Sequence, residues 1–272
     1  MFLETSLRIG GTESVITKLF EHFDKKRIRP LLCCFYEPGI LGEQLIQKGF
    51  SVYHHLAKNR RDLGLPFRLC QLMRKEKVDV LFLVNQPLVQ FWGTWSGLAA
   101  GVPVRVAAIR STGKINRIQR RLFINALTFP WMTRITALSR THEKYLIEKE
   151  GIDPRKIEIV LNGVDLERFN PGPKSKDLLQ SLGVPSNTPT VGIVAMLRPE
   201  KGHDIFLKAA ALVLKQKPET HFLIIGDGDE RKKLEGMAED TSIKAYIHFL
   251  GARKDIPEIL NLFDVAVLSS YP

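Results

Sequence analysis

The sequence predicts an α/β protein of two units, each a parallel sheet with helices on both faces. Three observations carry that expectation. Short apolar runs alternate with amphipathic segments along the whole chain, the pattern of repeated strand–helix units. The run from Val78 to Val84 is apolar except for Asp79, as a strand buried on both faces requires. The stretch 162–190 is instead rich in Pro, Gly, Ser, Asn and Asp, with Pro171, Gly172, Pro173, Pro185 and Pro189, which marks a connection between units.

An apolar start over 1–4 leads through a loop with Gly10 and Gly11 into an amphipathic segment over 12–23. Strands are expected over 29–36, 50–54, 78–84, 104–109, 134–138 and 156–160, with helices over 41–48, 65–75, 88–100, 115–129 and 141–150 between them. In the second half, strands over 190–197, 221–225, 247–249 and 265–268 alternate with helices over 204–215, 230–239 and 256–261. The expected division is a first unit over 1–165, a linker over 166–189 and a second unit over 190–272. The last strand of that second unit would lie bare, so an incomplete second domain is expected.

The chain, 272 residues with 44% apolar side chains, exceeds one typical domain and can bury a sizeable core. Its longest apolar candidate, 91–109, is broken by Gly93, Gly97, Gly101, Pro103 and Arg105, so no membrane span is expected. The N-terminus has neither a basic region nor a cleavage site, which argues against secretion. Cys33, Cys34 and Cys70 cannot form a paired framework. Cys33 and Cys34 read as core residues of a reducing compartment, so a cytoplasmic protein is expected.

Charge is unevenly placed. Residues 1–156 hold 26 Lys/Arg against 13 Asp/Glu, and residues 157–272 hold 14 against 16, within a net charge of +11. A basic first half points to nucleic acid or an anionic membrane surface. No aromatic-rich basic motif supports nucleic acid. Ile115, Ile118, Leu122, Ala126 and Phe129 form a helical apolar stripe flanked by Lys114, Arg117, Arg120 and Arg121. Packing of that stripe on its own sheet is the plain expectation; contact with a membrane surface is the sharper one.

Ligands of open α/β sheets sit at the carboxyl ends of strands, and three loops there carry chemistry. Gly10 and Gly11 precede a helix start, where backbone amides can approach a phosphate; paired glycines alone are common in turns. Arg198, Lys201 and Gly202 crowd a second helix start, where a point charge beside unpaired amides suits an anion. Asp227 and Asp229 follow an apolar strand. They could serve Mg²⁺ or Mn²⁺, but a Gly-rich turn with Asp229 and Glu230 at a helix start is the arrangement expected.

Six segments together resemble the group 1 (family 4) retaining glycosyltransferases. They are Gly10 to Glu13; Asn162 to Asp165 with Arg168, Phe169 and Pro171; Arg198 to Gly202; Ile225 to Gly228; Phe249 to Gly251; and Phe263 to Ser270. Their order and spacing match the family across nearly the whole chain, although each piece alone is weak. The resemblance implies a GT-B fold of two facing Rossmann-like domains, acceptor side first and nucleotide-sugar side second. It implies a nucleotide-sugar donor, with no cofactor or metal. Donor contacts would come from Gly10, Gly11, Thr12, Arg198, Lys201, Gly202 and the main chain at Arg253, and Lys201 would neutralise the departing diphosphate.

Three departures limit the carry-over. Met196 stands where the family usually has an arginine. Arg110 stands near where many members carry a histidine on the acceptor side, so the catalytic residue is unassigned. The family's two glutamates eight residues apart would fall beyond Pro272. The expected function is sugar transfer with retention to a hydroxyl acceptor, in cell-envelope polysaccharide or glycolipid synthesis. The alternatives are a non-catalytic or truncated nucleotide-binding module, and a GT-B-fold nucleotide-sugar epimerase.

Overall fold

The computed structural model describes the chain except residues 9, 60–61, 85, 111–117, 240–242 and 272. It divides into two units, Met1–Gly163 and Val164–Pro272. In the first, seven strands run parallel: β1 (Phe2–Glu4), β2 (Leu31–Cys34), β3 (Ser51–Tyr53), β4 (Val80–Val84), β5 (Val104–Ala108), β6 (Arg134–Ala137) and β7 (Ile157–Ile159). Their order is β3-β2-β1-β4-β5-β6-β7, so the direction of winding reverses between β1 and β4. Helices α1 (Gly11–His22), α2 (Gly39–Gln47), α3 (Leu65–Lys75), α4 (Pro87–Ala100), α5 (Ile118–Thr128) and α6 (Arg140–Glu150) connect them.

Strand alternation sends neighbouring side chains to opposite faces. Phe2, Leu32, Cys34 and Val84 pack with Ile16, Phe20 and Leu45 on one side. Leu3, Leu31, Cys33, Leu81 and Leu83 pack with Leu65, Leu69, Met73 and Val89 on the other. Both cysteines are buried and free, and burial pushes their thiols up, so they serve packing.

The helix expected over 115–129 differs in its inward face. Its residues 115–117, with Ile115 and Arg117, lie outside the described residues, as do the flanking Lys114 and the side chains of 118–122. In the described part Ala126 is exposed, while Asn125 and Thr128 are buried. The reason is a polar network: Gln90 of α4 donates through Nε2 to Asn125 Oδ1 at 3.0 Å and Thr128 Oγ1 at 2.6 Å. Asn125 in turn donates to Glu150 Oε2 of α6 at 2.7 Å. Phe129 is buried in the short 3₁₀ turn that follows α5.

The second unit holds β8 (Thr190–Val194), β9 (His221–Ile225), β10 (Ile247–Gly251) and β11 (Val265–Ala266), all parallel, in the order β10-β9-β8-β11. Helices α7 (Lys176–Ser181), α8 (His203–Leu214), α9 (Arg231–Glu239) and α10 (Ile256–Leu260) accompany them. Ile193, Phe222 and Ile224 pack on Phe206, Leu207, Ala210 and Leu234. Leu223 and Ile225 pack on Leu179, Val184, Ile259 and Leu262.

Helix α7 falls inside the stretch read as linker. Ser175 Oγ accepts from Leu178 N at 3.2 Å to start it, and the buried Leu179 and Val184 tie it to the sheet. Its six residues are too few for a helical period to show against the prolines around them. Among the described residues no helix is long and apolar enough to cross a membrane. Gln90→Ala removes the donor that Asn125 and Thr128 share and should lower the unfolding free energy by about 1–3 kcal/mol; urea denaturation of both proteins checks this.

Candidate functional site

In the second unit, β8 ends in a loop whose 3₁₀ turn, Pro199–Lys201, feeds directly into α8. Gly202 joins the two with φ +63°. A Cβ at Gly202 would collide with the carbonyl oxygen of Ser269, so this position is closed to other residues by conformation and by space. Ser269 Oγ donates to the Gly202 carbonyl at 2.8 Å and the Lys201 carbonyl at 3.3 Å. Tyr271 donates its hydroxyl to Asp204 at 3.0 Å, and its amide to the Glu200 carbonyl at 3.0 Å. The segment after β11 is thus strapped onto the loop that starts α8.

The loop after β9 closes the same edge. Gly226, with φ +134°, lies against the Ala195 carbonyl, where a Cβ would collide. Leu197 N donates to the Asp227 carbonyl at 3.0 Å, and Glu230 N to the Leu197 carbonyl at 3.1 Å. Asp227 Oδ1 accepts from Gly228 N at 2.8 Å and Oδ2 lies 3.5 Å from Arg231, while Glu230 pairs with Lys233. Among the described residues no three His, Cys, Asp or Glu side chains gather as metal ligands.

Arg198 is exposed and Lys201 half-buried, and neither pairs with an acidic side chain among the described residues. Two unpaired cations therefore stand at the start of a 12-residue helix, whose first amides and dipole favour an anion. His203, the first residue of α8, is only 2% exposed, and neither ring nitrogen has a hydrogen-bond partner among the described residues. Burial lowers its pKa, against the opposing pull of Asp204. Arg253 is committed elsewhere: its guanidinium holds Asp255 at 2.9 and 2.6 Å. Met196 is 41% exposed and offers no charge.

In the first unit the corresponding edge is different. Gly10 is the N-cap of α1, extended at φ −172°, and its carbonyl accepts from Ser14 N at 2.9 Å. The Glu13 carboxylate lies over Gly10, whereas the space beside Gly11 is open to 4 Å. Thr12 is half-buried in the first turn of α1. Arg110, after β5, donates to Asn162 Oδ1 at 2.8 Å, which joins the expected acceptor-side residue to the start of the Asn162–Asp165 segment. Burial lowers the Arg110 pKa, opposed by Glu4 and Glu13.

Glu4 is the residue that sequence reasoning missed. It ends β1 beside the reversal point of the sheet and is 1% exposed. Its Oε2 accepts from Thr5 N at 3.2 Å and from Gln86 Nε2 at 3.3 Å. Thr5 Oγ1 donates to Gln86 Oε1 at 2.6 Å. Burial, reinforced by Glu13, pushes the Glu4 pKa up to about 8. A single carboxylate ending an otherwise apolar run was the available signal.

Two Rossmann-like parallel sheets, one with two unpaired cations at a helix start, define the class, and known proteins agree. The sequence pattern of Glycosyltransferase Family 4 matches residues 9–168, and that of Glycosyl transferases group 1 matches 174–272. A UDP-Gal:alpha-D-GlcNAc-diphosphoundecaprenol alpha-1,3-galactosyltransferase of Escherichia coli is 30% identical over 77% of this chain and 56% of its own. EpsF of Bacillus subtilis, a putative glycosyltransferase by name, is 24% identical over 96% of this chain and 70% of its own. HepE of Anabaena, solved with UDP and glucose, superposes with a TM-score of 0.81 at 21% identity, over 99% of this chain and 73% of that one. The fold is therefore GT-B, and the chain belongs to Glycosyltransferase Family 4. It spans little more than half of the galactosyltransferase it matches.

Glu4 also sets a pH dependence. The folded state keeps its proton up to about pH 8, while the unfolded chain loses it near the ordinary carboxyl value of 4.5. The unfolded state binds fewer protons between those values, so this group removes stability as pH rises, at up to roughly 1.4 kcal/mol per unit. Glu4→Gln should raise the melting temperature relative to wild type at pH 8.5 and leave it nearly unchanged at pH 4.5, by calorimetry.

Proposed function

We propose that this protein is a retaining glycosyltransferase of the hexosyl type, taking a sugar from a nucleotide-diphosphate sugar to an acceptor hydroxyl. The observation that carries the reading is the α8 start, where Arg198 and Lys201 stand unpaired beside Gly202. In the transfer, the bond between the sugar's anomeric carbon and the diphosphate oxygen breaks. The acceptor oxygen bonds to that carbon, and its proton passes to the departing diphosphate or to solvent. Charge grows on the diphosphate as it leaves, so preorganised amides and Lys201 lower the barrier most at that atom. The UDP found with HepE and the UDP-galactose named for the Escherichia coli relative support a nucleotide-sugar donor.

The same relative acts on a lipid-diphosphate sugar by name, and it supports an acceptor of that class for this chain. The acceptor would then lie at an anionic membrane surface on the cytoplasmic side. The basic first half supports that location, as do Phe123 and Leu127 of α5, 67% and 37% exposed. Phe123→Ser should reduce sedimentation with phosphatidylglycerol vesicles severalfold and leave sedimentation with neutral vesicles near background. Equal sedimentation of both proteins would remove the membrane assignment.

Met196 favours a second reading, a nucleotide-binding module without transfer activity, because the loop lacks one expected cation. Titration calorimetry with UDP, GDP and ADP tests the common ground. Wild type should bind at least one of them, and Lys201→Ala should weaken that binding tenfold or more, about 1.4 kcal/mol. No binding to any of the three would sink both readings. Binding without sugar transfer would select the module, and an isomerised donor without acceptor product would select an epimerase.

A further inference from the structure

Glu4, Thr5 and Gln86 form a hydrogen-bonded polar trio where β1 and β4 end. Glu4 Oε2 accepts from the Thr5 amide at 3.2 Å and from Gln86 Nε2 at 3.3 Å. That leaves Gln86 Oε1 pointing at Thr5, which spends its only hydroxyl proton there at 2.6 Å. The Thr5 oxygen can then serve a ligand only as an acceptor. Gln86 keeps a second N–H as a donor. Thr5 and Gln86 are both half-buried and reach the surface, whereas Glu4 is sealed beneath them.

We propose that Thr5 and Gln86 read one hydroxyl of the sugar acceptor, Thr5 accepting its proton and Gln86 donating to its oxygen, with Glu4 as the positioning residue that fixes the amide. The inference rests on the transfer reading above and adds the residues that select the acceptor. The trio sits beside the reversal between β1 and β4, the crevice where ligands of open parallel sheets bind. A protein built to hydrogen-bond a hydroxyl rejects the analogue lacking it, because its own buried partners are left unpaired. The near-neutral state that burial imposes on Glu4 explains how a carboxyl is tolerated there, and it makes Gln a faithful substitute.

The test uses a short-chain lipid diphosphate of N-acetylglucosamine and its singly deoxygenated analogues, titrated into the whole chain alongside UDP. Gln86→Leu and Thr5→Val should each weaken the probe about tenfold while UDP affinity stays within twofold. Glu4→Gln should hold the probe within twofold of wild type, and Glu4→Leu should lose it as Gln86→Leu does. Removing one particular hydroxyl should weaken wild type about tenfold and Thr5→Val hardly at all. Deoxy penalties that are identical in wild type and Thr5→Val at every position overturn the proposal, as does failure of wild type to bind the probe. Loss of UDP binding by wild type would instead strike the transfer reading itself.

Discussion

A parallel strand must be covered on both faces and joined to the next by a crossover, and that constraint arranges everything else in this protein. Each crossover here leaves its strand at the carboxyl end and returns through a helix, so the loops that are free to carry chemistry gather on one edge of each sheet. Crowding follows. The loops after β8 and β9 and the segment after β11 share so little room that Gly202 lies against the Ser269 carbonyl and Gly226 against the Ala195 carbonyl. Their conformations, φ +63° and +134°, are the cost of stacking those loops. Side chains are excluded at both positions by the neighbouring backbone.

The two edges differ in the polar groups they carry. In the second unit Arg198 and Lys201 stand beside a helix start without acidic partners among the described residues. In the first, the carboxyl of Glu4 is sealed under Thr5 and Gln86, and Arg110 is turned toward Asn162. That edge presents the hydroxyl of Thr5 and the amide of Gln86, so the difference between the two edges follows from which side chains each loop contributes.

Long elements with strong periodicity were legible in the sequence. The apolar run at Val78–Val84 and the helix over 65–75 sit where the pattern put them, because β-alternation and the 3.6-residue period survive at that length. The α5 stripe was legible only in part. Asn125 and Thr128 turn inward because Gln90 satisfies them, and a pattern of hydrophobicity cannot see a polar group whose partner lies 35 residues away. Helix α7 was hidden by its brevity among prolines. Glu4 was hidden for another reason: its meaning depends on Gln86, 82 positions along, which only the pairing of β1 with β4 brings near.

The same reasoning bears on Met196 and Arg198. Residues two apart on an extended segment point the same way, but the loop after β8 is no longer extended: Arg198 N donates to the Met196 carbonyl at 2.8 Å, and Lys201 N to the Arg198 carbonyl at 3.0 Å. Those turns change direction between 196 and 201, so a cation at 198 occupies a different position from one at 196. Arg198 is the more exposed of the two, and Lys201 lies closer in sequence to the first residue of α8. A half-buried charge beside first-turn amides is screened less by water than an exposed one. Met196 carries no charge, so the cations this loop brings to the start of α8 are Arg198 and Lys201.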